Sequence, residues 1–258
     1  MRIIDAHAHL HDHPGYVERL LGAMDDCGIQ KCCISGLGTL FGCQGNQEVK
    51  ELLISHPERF IGAYFVRPGK TNPREISKAQ EEGFKMLKVS IPTKPYDDPS
   101  FVPLWERAEE LKMPILFHTG IVTLAQDAPT EGISSWFMHP MRLEPIANAF
   151  PRLNLIIAHL GIHWNADAAE LMRMKPNVYA DLTGEPDGWR VRADETGIKR
   201  WLWWKGAFKK LVFGTDVTPD KIAIILQQDE ERLDQNEIDE KTREKIFSGN
   251  ILHMLGEQ

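Results

Sequence analysis

The chain has 258 residues, enough for one domain with a substantial buried core and close to what eight strand–helix units require. Its formal net charge of −7 excludes a general nucleic-acid or anionic-membrane binder, because both need a basic surface. Hydrophobic residues at 42% and charged residues at 26%, with no apolar run long enough to span a bilayer, predict an ordinary globular protein of the cytoplasm.

The opening MRIIDAHAHL enters a strand-like segment at once, without the apolar core or cleavage site of a secretory signal. From there, short β-rich runs alternate with helical patterns. The expected strands are Ile3–Ala8, Lys31–Ser35, Phe60–Val66, Phe84–Ile91, Pro114–His118, Leu153–His159, Asn177–Leu182 and Leu211–Asp216. Between them lie expected helices at Val17–Cys27, Gln47–His56, Pro73–Glu82, Leu104–Lys112 and Leu143–Phe150. Eight such alternations predict a closed α/β (β/α)8 TIM barrel filling residues 1–258 as a single domain. An open doubly wound sheet would carry a glycine-rich phosphate loop after its first strand, and AHAHLHDH stands there instead.

Chemistry-bearing residues gather at the C-terminal ends of these strands, the face on which barrels of this kind build active sites. A period of two puts Asp5, His7 and His9 on one face of the first strand, with Ala6 and Ala8 on the other. Imidazoles two residues apart lie about 6.5–7 Å from one another along the strand and can converge on one ion. His-x-His also occurs by chance on exposed strands. His118 ends the fifth run, His159 the sixth and Asp216 the eighth. A single such histidine is readily explained by core packing, whereas four strand ends of this type are not, since unpaired burial costs several kcal/mol per group.

Several residues invite a substrate-binding role. Arg67 follows the third strand and can place a guanidinium over the mouth; arginine suits bidentate carboxylate capture. Trp189, Arg190 and Arg192 follow the seventh run as a clamp for a flat or acidic substrate, though solvated loop charges explain the arginines equally simply. The long segment from Ile121 to His139, with Trp136 and Phe137, has the look of a lid. Trp201, Trp203 and Trp204 read as helix packing, and His11 and His13 as a solvated loop. Cys27, Cys32, Cys33 and Cys43 lack paired spacing, and adjacent Cys32 and Cys33 point to opposite faces of a strand, so all are read as structural thiols.

The stretches IIDAHAHL, HPERFIGAYFVRP, GFKMLKV, AEELKMPILFHTG, FPRLNLIIAHLG, NVYADLTG, KLVFGTD and IFSGNILHML span nearly the whole chain. Together they resemble the amidohydrolase superfamily, and within it the amidohydrolase 2 group that includes decarboxylases such as aminocarboxymuconate semialdehyde decarboxylase. The resemblance implies a metal-dependent hydrolase type of barrel in which His7, His9, His118 and Asp216 ligate one divalent metal. It further implies that His159 orients or polarises water or substrate, that Asp216 is the general base, and that Asp5 supports the imidazoles from behind. Zn2+ is the first expectation for such a donor set, with Mn2+, Co2+ or Fe2+ as replacements. Two-metal relatives bridge their ions with a Glu or carbamylated Lys at the fourth strand. This chain has only Lys85 and Lys88 there, read as a substrate-anion contact or rim residues, with a carbamate bridge as the other reading. The missing carboxylate also weakens a nuclease reading.

Three functions follow from the resemblance. The leading one is hydrolysis of a C–N or C–O bond in a small, carboxylated molecule through a metal-activated water. The second is non-oxidative decarboxylation of a small unsaturated or aromatic acid, and the third a non-catalytic metal-binding scaffold. The expected partner is a small-molecule substrate, with no nucleic acid or membrane, and a homodimer as the assembly common among such relatives.

Overall fold

In the computed structural model, which describes residues 1–257, seven parallel strands follow one another around a single curled sheet in the order of the chain. They are β1 (Ile3–His9), β2 (Ile29–Ser35), β3 (Phe60–Val66), β4 (Phe84–Val89), β5 (Ile115–Phe117), β6 (Leu155–Ile157) and β7 (Val178–Ala180). Helices α1 (Tyr16–Asp26), α2 (Asn46–Ser55), α3 (Pro73–Glu81), α4 (Val102–Glu110), α5 (Glu144–Ala149), α6 (Asn165–Met174) and α7 (Trp189–Thr196) intervene between or follow them. The chain closes with α8 (Ile222–Gln235), α9 (Glu240–Glu244) and α10 (Asn250–Leu255). No helix among the described residues is long and apolar enough to cross a membrane.

The run Leu211–Asp216, expected as an eighth strand, makes a single bridge, Ala180↔Leu211, and no regular ladder. It nevertheless joins the two edges of the sheet: Val212 N–H donates to Ala180 O at 2.9 Å, Ala6 N–H to Phe213 O at 2.9 Å, and Asp216 N–H to His7 O at 2.8 Å. The run loses its extended form at its end, where Asp216 turns into the left-handed region at φ 51°. Gly214 lets it pass close to β1, since a Cβ there would stand 2.8 Å from the Cβ of His7.

Local chemistry accounts for the helices. In α1, Tyr16, Leu20 and Met24 recur at one face of a 3.6-residue period and are buried. Helix α3 starts on Asn72, whose side chain accepts from Arg74 N–H, with Pro73 in the first turn and Glu75 closing a capping box. The tryptophans at 201, 203 and 204, expected on a helix, instead follow a short 3-10 turn (Ile198–Arg200), and Trp203 is 62% exposed.

Burial divides into an inner and an outer layer. Inside the sheet, Ala6, Cys33, Ile61, Met86, Leu116, Ile156 and Val212 form one cluster, joined by Ile251 and Met254 of α10. Cys32, next to Cys33, belongs to the outer cluster beneath the helices, so the adjacent thiols do face opposite ways. No disulfide links the four cysteines.

Candidate metal centre

Strand β1 supplies two imidazoles because its alternation changes phase. Ile4 and Ala6 pack inside the sheet and Ile3 and Ala8 outside it. Between Asp5 and Ala8 the register with β2 shifts, a bulge that re-aims side chains beside a site. Asp5 therefore does not share a face with His7 and His9, contrary to strict alternation. Its carboxylate accepts from Thr215 Oγ1 at 2.6 Å, Thr215 N–H at 3.0 Å and His7 N–H at 3.0 Å. It pins backbones together and orients no imidazole. Burial pushes its carboxyl up to about 7, against the pull of the Thr215 hydrogen bonds.

The residue that orients His7 is Asp181, just beyond β7, and sequence reasoning missed it. Asp181 Oδ2 lies 2.9 Å from His7 Nδ1, while Oδ1 accepts from His159 N–H at 2.7 Å and Thr183 Oγ1 at 2.7 Å. Burial opposes its ionisation, but His7, its nearest partner, holds the carboxyl well below the usual range. The signal was available in NVYADLTG, an acid at a strand end like the others.

These contacts fix tautomers. Paired with a carboxylate, His7 carries its proton on Nδ1. His9 Nδ1 lies 2.8 Å from Ser35 Oγ, and the tautomer that donates there leaves the Nε2 lone pair toward His7 and Asp216. His159 Nδ1 likewise meets Thr183 Oγ1 at 2.8 Å, whose proton is committed to Asp181. All three rings thus present Nε2 lone pairs to one place. Burial pushes His7 down to about 4, with the Lys88 charge adding to the effect, and burial likewise lowers His9, so both rings stay neutral.

At that place sits Asp216. Its Oδ1 lies 3.0 Å from His9 Nε2 and 3.7 Å from His7 Nε2, and its Oδ2 3.6 Å from His159 Nε2. Burial alone would raise its carboxyl, and positive charge at the His7 and His9 side of the site is what brings it well below the usual range. Lone pairs and a carboxylate facing one another this closely call for a cation between them. His7 Nε2 and His9 Nε2 stand 3.2 Å apart. Two nitrogens at tetrahedral angles around one ion would be separated by about 3.3 Å. The donor set therefore fits a divalent metal. Ligand atoms of His7, His159 and Asp216 all lie within 4.8 Å of one another, which brings His159 into the set as well.

His118 packs its ring against that of His159, with centroids 5.1 Å apart, and its Nε2 is buried with no hydrogen-bond partner among the described residues. Burial holds it neutral, well below the ordinary imidazole value. An orphaned buried nitrogen beside the cluster is what a missing ligand bond leaves. Backbone bonds place the residue: His118 N–H donates to Val89 O at 2.8 Å, and Tyr96 OH to His118 O at 2.9 Å. His159 and Asp216 both adopt left-handed backbones, φ 57° and 51°, a strain that turns each strand end into the site.

Lys88 proves to be a wall of the site and no rim residue. It is 1% exposed on β4, with Nζ 2.6 Å from His7 Nε2. Burial lowers it to about 8, partly offset by Asp216 and Asp181. Lys85 points away to an exposed ion pair with Glu257.

The cluster opens into a cavity of about 470 Å3, whose walls include Phe41, Ser90, Ile121, Trp189 and also His11. His11, expected in a solvated loop, thus reaches the site. Three expected substrate contacts do not line this cavity. Arg190 is buried with its guanidinium on Asp229 at 2.7 Å and Leu182 O at 2.7 Å, because it lies on the face of α7 turned toward α8. Arg67 donates to Ile91 O at 3.1 Å. Trp136 is 55% exposed and packs its ring on Trp164 and His139, which draw it off the mouth.

The model of the family described as Amidohydrolase matches residues 39–256. No curated protein matches the chain. Among solved structures, an uncharacterized TIM-barrel protein from Bordetella bronchiseptica superposes with a TM-score of 0.74 at 17% identity, covering 100% of this chain and 99% of that one. A probable 2-pyrone-4,6-dicarboxylic acid hydrolase from Acinetobacter baumannii, with citric acid bound, gives 0.71 at 15% identity over 99% and 100% of the two chains. A 5-carboxyvanillate decarboxylase from Novosphingobium aromaticivorans, complexed with manganese and a nitrobenzoic acid, gives 0.67 at 15% identity over 99% and 96%. At such identities these likenesses speak to the fold.

Proposed function

The chain belongs to the amidohydrolase family, and from that premise we propose that it is a metal-dependent hydrolase of a small carboxylated molecule, built on a (β/α)8 barrel. The observation that carries this reading is the meeting of three Nε2 lone pairs with an ionised Asp216 in the lining of one cavity. His7, His9, His118 and Asp216 would hold the ion, with His159 close enough to join or to face the substrate. Imidazole nitrogens with one carboxylate suit Zn2+ first, and the manganese of the decarboxylase neighbour supports Mn2+ as a replacement. A divalent cation there supplies Lewis-acid polarisation of a substrate oxygen and acidification of water.

The protein's own groups do the rest. Asp216, in the lining of the cavity, takes a proton from the attacking water, then returns it to the leaving nitrogen or oxygen. His159, locked by Thr183 with its proton on Nδ1, aims the Nε2 lone pair at the same space, where it accepts a hydrogen bond from the water and orients it. The apolar walls at Phe41, Ile121 and Trp189 exclude bulk water and seat a small flat body.

The 2-pyrone-4,6-dicarboxylic acid hydrolase neighbour supports lactone or ester hydrolysis, while the 5-carboxyvanillate decarboxylase neighbour supports loss of CO2 from an aromatic acid on the same donors. A panel of carboxylated lactones, amides and aromatic acids distinguishes them by product. New carboxylate without gas establishes hydrolysis; CO2 from the acids, with lactones and amides untouched, overturns it in favour of the decarboxylase.

A further inference from the structure

A second cavity, of about 450 Å3, lies against the first and shares Ile162, Gly188 and Trp189 with it. Trp189 is the partition, fixed by its Nε1–H donating to Thr183 O at 2.9 Å. One face of α7 forms the outer wall: Trp189, Arg192, Ala193 and Thr196 recur at the spacing of neighbouring helical turns and all line it. Arg200 completes the wall, its guanidinium 5.0 Å from the Trp201 ring.

Arg59, Arg107, Arg142, Arg152, Arg173 and Arg243 each pair with a carboxylate, as do buried Arg190 and Arg232. Among the described residues Arg192 and Arg200, like Arg2, Arg19, Arg67 and Arg74, have no carboxylate partner, and of these six only Arg192 and Arg200 line the cavity beside the site. The only carboxylate lining the same cavity is Asp187, against two guanidiniums and His163. Guanidiniums without a carboxylate partner, lining one cavity that shares Ile162, Gly188 and Trp189 with the cavity of the His–Asp cluster, are suited to bidentate capture of an oxyanion.

We propose that this outer cavity is a subsite for a second carboxylate of the substrate, held by Arg192 and Arg200, and that the substrate class is a small dicarboxylate. The proposal rests on the inner cavity being the reaction site. The molecule lies across Trp189, its reacting group at Asp216 and its far carboxylate between the arginines. A monocarboxylate fills only one end.

Isothermal titration of the full chain with malonate, succinate, glutarate and adipate, each against the monoacid of equal length, tests this on wild type, R192Q, R200Q and the double variant. Both arginines are exposed, so substitution leaves the core intact, and the melting temperature checks it. At least one diacid binds wild type about tenfold more tightly than its monoacid, and the double variant loses that preference. No preference in wild type, or one unchanged in the double variant, overturns the subsite. Metal content of the same samples separates the two readings. An arginine-dependent preference in protein that takes up no metal leaves the subsite standing without the metal-dependent chemistry. Metal uptake without the preference leaves the chemistry and removes the subsite.

Discussion

Two buried polar clusters in this protein have opposite internal balances. Between α7 and α8, Arg190 and Arg232, 1% and 2% exposed, meet Asp229 and Asp194, with Arg232 bidentate on Asp194 at 2.7 and 2.8 Å. Two cations face two anions, and Arg190 further donates to Leu182 O. At the strand ends, by contrast, lone pairs of His7, His9 and His159 face a carboxylate. Lys88, with Nζ 2.6 Å from His7 Nε2, is the one lysine or arginine among the described residues that lines the cavity there. Lone pairs left facing a buried carboxylate are costly enough that the second cluster points outward, to a ligand, whereas the first is balanced in charge and structural, with Arg190 Nε the one guanidinium nitrogen of the pair without a partner among the described residues.

Substitutions break the comparison in order of expected effect. Asp216→Asn keeps shape and removes the base, so turnover by the metal-loaded variant falls about 10²–10⁴-fold in product assays; near-normal turnover removes Asp216 from that role. Arg190→Ala leaves Asp229 short of a partner and lowers stability by about 3–5 kcal/mol in denaturant titration, while metal bound per folded molecule is unchanged. An Arg190 variant as stable as wild type would dissolve the contrast.

A subtler effect comes from Asp5. Its folded value, about 7, lies above the ordinary carboxyl value of 3.8. Its contribution to stability is therefore fully present below about pH 4 and lost as pH rises through 7, on the order of a few kcal/mol. Asp5→Asn flattens that part of the profile, seen as a denaturant midpoint that declines less than wild type between pH 4 and 7. Parallel profiles would mean that Asp5 stays ionised when folded. The smallest effect is at Asp181. Asp181→Asn frees the His7 tautomer and weakens metal binding about 10–100-fold in chelator competition. Unchanged affinity would assign Asp181 to scaffolding through Thr183 and His159 N–H alone.

Much of this was legible in the sequence. Strands buried on both faces read as apolar runs, and β3 begins and ends at the expected residues; the residues at strand ends then mark the site. Three features were not legible, each for a physical reason. The bulge in β1 shifts the phase after Ala6, so strict alternation placed Asp5 wrongly. The eighth run ends at Gly214 and a left-handed Asp216, so apolar content overstated its regularity. Arg190 and Arg192, two residues apart on a helix, point to different sides, and nothing local says which one a distant Asp229 will claim.

The most direct test of the lone-pair cluster is elemental analysis of gently purified protein beside its His118→Ala variant. The expected result is about one equivalent of a divalent transition metal in the wild type and its loss in the variant. A wild type that holds none, even after reloading, would contradict the metal centre outright.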